Sequence, residues 1–214
     1  MAKIFKGIFG PVSGKIGSVV GATWKNIPYL RSLPRKKKKK TARTPAQIAN
    51  QQKFKFVTEW LVPFYPYISN GFRHLAQGRT EINAAFSLNY KSAVGGVYPD
   101  LSISYPHVFL SKGDLPGLME AEVSLLGTDS IHLSWGADNR IHHISFNDQV
   151  MLVIYSPELK MADGFIGGVK RADHECTYKM HPKMLGQALE VYVSTYTLNG
   201  KTMSDSQYIG RIAP

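Results

Sequence analysis

From residue 101 onward, apolar residues recur at every second position in short runs broken by turn formers, and no other feature constrains the fold as much. Leu101-Ser-Ile-Ser-Tyr105, Met119-Glu-Ala-Glu-Val-Ser-Leu125 and Ile131-His-Leu-Ser-Trp135 alternate in this way. Successive side chains of a strand point to opposite faces, so each run fits a strand with one face in a core. Residues 149–155 form a more continuous apolar run, the pattern of an inner strand covered on both faces. Residues 165–169, 176–180, 189–197 and 207–212 complete the series. Gly113-Asp114, Gly127-Thr128-Asp129, Asp138-Asn139 and Asn199-Gly200 punctuate it. Short strands without intervening helices predict an antiparallel β-sandwich over residues 98–214. The change of period after Gly95-Gly96 and Pro99 marks its start, and the sandwich is expected to fold alone.

The preceding segment, residues 44–97, has helical spacing. Thr44-Pro45-Ala46-Gln47 sets a capping hydroxyl, a proline at the first helical position and a glutamine at the third. Ile48, Gln52, Phe56 and Trp60 follow about one turn apart, predicting a helix over residues 45–61. Pro63 and Pro66 interrupt the pattern before a second helical stretch to residue 77, and residues 80–92 read as a third. The aromatic residues Trp60, Phe64, Tyr65, Tyr67 and Phe72 read as the face that packs on the sandwich.

Residues 1–43 read as a glycine-rich, basic arm. Five glycines, from Gly7 to Gly21, and Pro11 make a free helix unfavourable. Residues 18–24 and 27–33 flank Lys25-Asn26 as two β-rich runs, which predicts a hairpin whose second strand Pro28 confines to an edge. The formal charge is +11, and its distribution is lopsided: residues 1–58 hold 14 Lys and Arg and no acid, whereas the remainder holds 12 basic and 15 acidic residues. Arg35, Lys36, Lys37, Lys38, Lys39 and Lys40 are contiguous, with Arg43 close behind. Such a run is either a solvated linker or a polyanion contact. The candidate polyanion-binding residues are these seven together with Lys15, Lys25 and Arg31. Phe5, Phe9, Trp24 and Tyr29 interleave with the cations, which suits nucleic acid and an anionic membrane surface alike.

Little else in the sequence carries chemistry. Hydrophobic residues at 43% exclude global disorder, and there is no run of 18 apolar residues for a transmembrane helix. Gly10-Pro11 interrupts any signal-peptide core, so synthesis in the cytoplasm without a classical signal is expected, with no final location implied. Residues 10–16 only loosely imitate a phosphate loop: three residues separate Gly10 and Gly14, and Ile16 follows Lys15 where Ser or Thr belongs. His174, Cys176 and His181 lack spacing that would specify further ligands from His142 or His143, so no metal is expected. Cys176, the one cysteine, has no Cys-His catalytic motif around it. No cofactor and no enzymatic activity are expected.

Two resemblances add to this reading. An early tryptophan on the second strand, Trp135, and a late alternating strand with tyrosines, residues 189–196, resemble the fibronectin type III pattern over residues 101–213, with binding or spacing roles implied. The whole layout is similar to a functionally uncharacterised bacterial family of the Bacteroidetes. That similarity rests on Gly14-Lys15-Ile16-Gly17, Val20-Gly21, Trp24-Lys25, Arg31 with Pro34, Thr44-Pro45-Ala46-Gln47 and Gln51-Gln52-Lys53-Phe54. It implies no activity and no site residues.

The expectation is a mainly β, non-enzymatic structural or assembly protein, a homo-oligomer or part of a larger phage-virion-like or filament-like assembly. Its arm is expected to dock on neighbouring subunits or on a polyanion such as nucleic acid. A nucleic-acid-binding protein is the alternative, and a membrane-surface or secreted effector is a third.

Overall fold

Strands β1 (Lys3–Ile4), β2 (Val12–Ile16), β3 (Val19–Trp24) and β4 (Ile27–Ser32) pair in that order as an antiparallel meander in the computed structural model of the protein. The structure describes residues 3–4, 7, 10–33, 42–137 and 147–213. Lys25 and Asn26 both take positive φ, 46° and 63°, the two-residue turn whose twist matches antiparallel strands. Pro28 lies on β4, an edge strand, where its missing N–H removes no bond from a neighbour. The arm read from the sequence as one hairpin is thus a four-stranded sheet, because residues 12–16 also pair.

These strands belong to one compact unit, Met1–Thr44; a second unit spans Pro45–Pro214. The second begins with α1 (Pro45–Leu61), followed by α2 (Tyr65–Gly71) and α3 (Glu81–Ser92), with a 3-10 turn at Val62–Phe64, where Pro63 interrupts the helix, and another at Arg73–Leu75 after α2. Thr80 caps α3, its hydroxyl accepting from the Asn83 N–H at 3.1 Å. Gly71 allows α2 to approach the following loop: a Cβ there would stand 2.2 Å from the Leu110 carbonyl oxygen. The Gly95-Gly96 step lies within a hairpin, β5 (Val94–Val97) with β6 (Asp100–Ile103).

Among the described residues seven further strands follow: β7 (Met119–Leu126), β8 (Ser130–Gly136), β9 (Gln149–Ser156), β10 (Met161–Lys170), β11 (Glu175–Lys179), β12 (Leu189–Tyr196) and β13 (Gln207–Ile212). They form two antiparallel sheets, β11-β8-β7 and β10-β9-β12-β13. Between them lies one core, in which Ile131, Leu133 and Trp135 of the three-stranded sheet meet Val150, Leu152, Ile154, Val191 and Val193 of the four-stranded one. The protein is therefore mainly β with an antiparallel two-sheet body.

The intervening positions of β9 and β12 explain the continuous apolar run. Met151, Val153 and Tyr155 on β9, with Tyr192 on β12, face away from that core into a second one built with Val57, Leu61, Phe64, Ile68 and Phe72. The helices are a third layer over the four-stranded sheet, and Trp60, Phe64, Tyr67 and Phe72 are buried there as their spacing predicts. Asn89 on α3, fully buried, fastens the layer: its Nδ2 donates to the Ala85 and Phe109 carbonyls at 2.9 and 2.8 Å, and its Oδ1 accepts from the Phe109 N–H at 2.9 Å. Ser111 Oγ then donates to the Ser204 carbonyl at 2.9 Å, tying the same loop to the β12–β13 connection. From Pro45 onward, the helical segment and residues 98–214 consequently share one compact unit. No described helix is long and apolar enough to cross a membrane.

Candidate interaction surface

The register of the N-terminal sheet sorts its side chains by chemistry. Lys15 lies opposite Val20, and Val20 opposite Arg31, so the two cations share a face across three strands. Ala22 opposite Tyr29 and Trp24 opposite Ile27 continue that face, and Lys3, opposite Ser13, joins it at the far edge. The other face takes the alternate positions: Ile4 with Val12, Ile16 with Val19 and Ser32, and Gly21 with Leu30. One face therefore carries Lys3, Lys15 and Arg31 with Trp24 and Tyr29, and among the described residues the opposite face carries no charge.

Gly21 is the single buried residue among those described in this unit. A Cβ there would lie 2.1 Å from the Val12 carbonyl oxygen, so only glycine lets β2 and β3 close to this distance. On the uncharged face Leu30 remains 64% exposed, and Ile4 and Ile16 are about half exposed. On the charged face Trp24 and Tyr29 are 42% and 44% exposed, and the Lys25 ammonium stands 5.7 Å from the Trp24 ring centroid.

Of the candidate polyanion-binding residues, the structure brings Lys15 and Arg31 together, puts Lys25 in the turn beside Trp24 and leaves Arg43 exposed ahead of α1. Arg35, Lys36, Lys37, Lys38, Lys39 and Lys40 lie outside the described residues, as do Phe5 and Phe9. Lys3 was absent from that set. It joins the face through its place opposite Ser13, a pairing that only the register makes readable.

The other candidate chemistry is dispersed. Residues 12–16 form β2, so the loop-to-helix geometry of a phosphate site does not occur there. Cys176 lies on β11 opposite Leu133, and burial chiefly pushes its thiol up to about 11, which keeps it protonated and unreactive at neutral pH. His181 Nδ1 accepts from the Lys183 N–H at 3.2 Å. Among the described residues no three His, Cys, Asp or Glu gather as a metal site; His142 and His143 lie outside them. A cleft of about 400 Å³ in the second unit is lined by Phe56, Trp60, Leu101, Tyr105, Tyr155 and Lys160, among others. Burial holds the Tyr155 hydroxyl at about 12, and Glu59 at the rim is 3.7 Å from Lys55 one helical turn away.

A family model described as "Family of unknown function (DUF6266)" matches residues 11–210. The chain belongs to this family. The DUF6266 match begins just before β2 and ends within β13, so it takes in three of the four strands of the N-terminal sheet and nearly all of the two-sheet body, beyond the forty or so residues of the signature read from the sequence. No curated protein matches the sequence. Among solved structures, the FN1–FN3 domains of chicken CNTN1 share 10% identity with the DUF6266 chain at a TM-score of 0.36, over 48% of this chain and 33% of that one. The DUF6266 chain thus spans about a third of that protein's length in the match.

Proposed function

We propose that this is a non-enzymatic structural or assembly protein whose N-terminal sheet docks on a neighbouring copy through its uncharged face. The observation that carries the reading is a four-stranded sheet in which, among the described residues, Gly21 alone is buried and Ile4, Ile16 and Leu30 stand exposed on a face without charge. A small sheet without a core lacks the burial that stabilises independent folding. A second copy presents the same face, so a two-fold pairing is self-complementary, and repetition through other contacts extends it to a filament-like or virion-like assembly.

The body supports a scaffolding role. Its seven strands in sheets of three and four, with Trp135 on the second of them, support reading it as a fibronectin III-like or immunoglobulin-like sandwich. Such modules space and present binding surfaces, a role that rests on analogy of fold.

Light scattering after size exclusion tests the assembly reading. The full chain should associate with or without nuclease, residues 45–214 should be monomeric, and Leu30→Asp should shift the full chain towards monomer. A full chain that stays monomeric across concentrations, or whose association disappears with nuclease, refutes it. The second reading, nucleic-acid binding, is favoured by the charge of residues 1–44, which hold 12 Lys and Arg and no acid.

A further inference from the structure

We infer that the charged face of the N-terminal sheet is a binding platform for single-stranded nucleic acid, with Trp24 and Tyr29 stacking on bases and Lys3, Lys15, Lys25 and Arg31 holding phosphates. This does not rest on the assembly reading, which uses the opposite face. The argument begins from charge: a face with three cations, beside a turn with a fourth, in a segment without any acid, complements a polyanion.

The aromatic residues then choose among polyanions. Trp24 and Tyr29 lie on adjacent strands in neighbouring rows of one face, since Ala22 pairs with Tyr29 and Trp24 with Ile27. Both residues keep more than two-fifths of their surface open to solvent, although each side chain would gain from burial. In duplex nucleic acid the base faces are already stacked and unavailable to them. An unpaired strand offers base faces to the rings and phosphates to the flanking cations, the combination used for sequence-tolerant single-strand binding. The Lys25 ammonium beside the Trp24 ring places a phosphate partner next to the stacking position. A membrane surface is a poorer match, because its charged headgroups offer no flat π partner for two side-by-side rings.

Fluorescence anisotropy on the full chain tests this with a labelled oligothymidylate, an oligouridylate, a duplex of equal length, labelled heparin and vesicles containing phosphatidylserine. The oligonucleotides should bind more tightly than duplex, heparin or vesicles. Trp24→Leu, which keeps an apolar strand residue but removes the aromatic face, should weaken oligonucleotide binding by about 5- to 150-fold, and Tyr29→Leu likewise. Trp24→Phe and Tyr29→Phe should retain most of it, and heparin binding should not change in any of the four. Lys15→Gln with Arg31→Gln should lower the slope of log affinity against log salt by about 1.4, at about 0.7 for each single-strand phosphate. Oligonucleotide binding unaffected by Trp24→Leu and Tyr29→Leu overturns the proposal. So does a loss shared equally by the Leu and Phe variants, or tighter binding to duplex, heparin or vesicles.

Discussion

Cutting the chain at residue 98, where the hydrophobic period changes, should yield a fragment that does not fold, whereas residues 45–214 should fold cooperatively. The fragment keeps all seven strands of the two-sheet body and loses the helical layer. Met151, Val153, Tyr155 and Tyr192 are each at most 3% exposed in the whole protein, and all four face that layer. Returning a large apolar side chain to water costs about 1.5–3 kcal/mol, so the four together cost about 6–12 kcal/mol. Loss of Asn89 also leaves the Phe109 N–H and carbonyl without their partner, at about 1–3 kcal/mol each where they stay buried. The sum is comparable with or larger than the whole stability of an ordinary domain, about 5–15 kcal/mol. Circular dichroism and calorimetry of the two fragments give the comparison. A fragment 98–214 with a cooperative melt close to that of 45–214 refutes the view that the helices form an energetic part of the sandwich.

Trp135→Ala in residues 45–214 should cost about 3–5 kcal/mol by chemical denaturation, since it opens a cavity between the sheets and removes the indole N–H that donates to the Arg171 carbonyl at 2.7 Å. A cost under about 1 kcal/mol refutes that placement. Gly21→Ala should expose the N-terminal sheet to limited proteolysis and leave the melting of the second unit unchanged, because its Cβ meets the Val12 carbonyl at 2.1 Å; wild-type resistance contradicts the close approach. Tyr155, Tyr178 and Tyr208 have hydroxyls pushed up to about 12, burial being the largest cause in each. A folded pKa above the unfolded value of about 10 means stabilisation that is complete below pH 10 and lost as pH rises through 12. Residue-resolved NMR titration of the ring resonances should therefore show these three tyrosines ionising together with loss of structure, and ionisation of any of them near pH 10 in a fully folded protein contradicts it.

How much of this was legible in the sequence depended on whether the signal was local. Helix α1 falls at Pro45–Leu61 because proline, cap and apolar spacing all lie within a few residues of one another. Strand β8 shows its alternation directly, and the continuous run of β9 correctly marks a strand with two buried faces. What covers the second face could not be read, since the helices that do so precede β9 by more than fifty positions. The candidate surface divides in the same way. Lys15 and Arg31 were visible as cations near aromatics, but their common face follows from Val20 lying opposite both, and a shift of one residue would have sent one of them to the other side. Glycines at 14 and 21, which carry no side chain to reveal a face, hid β2 and left the arm looking shorter than it is.

The helical layer has a further consequence during synthesis. Residues 45–92 leave the ribosome long before β9 and β12, and the face formed by Val57, Phe64, Ile68 and Phe72 has no sheet to cover until residue 196 has been made. At about 5–20 residues per second, that interval of roughly a hundred residues lasts about 5–20 s. For this whole period the nascent chain carries these apolar and aromatic side chains without the sheet that buries them. The protein's demand on chaperones is therefore set by the order of its segments, and a circular permutant that places the helices after β13 should shorten it.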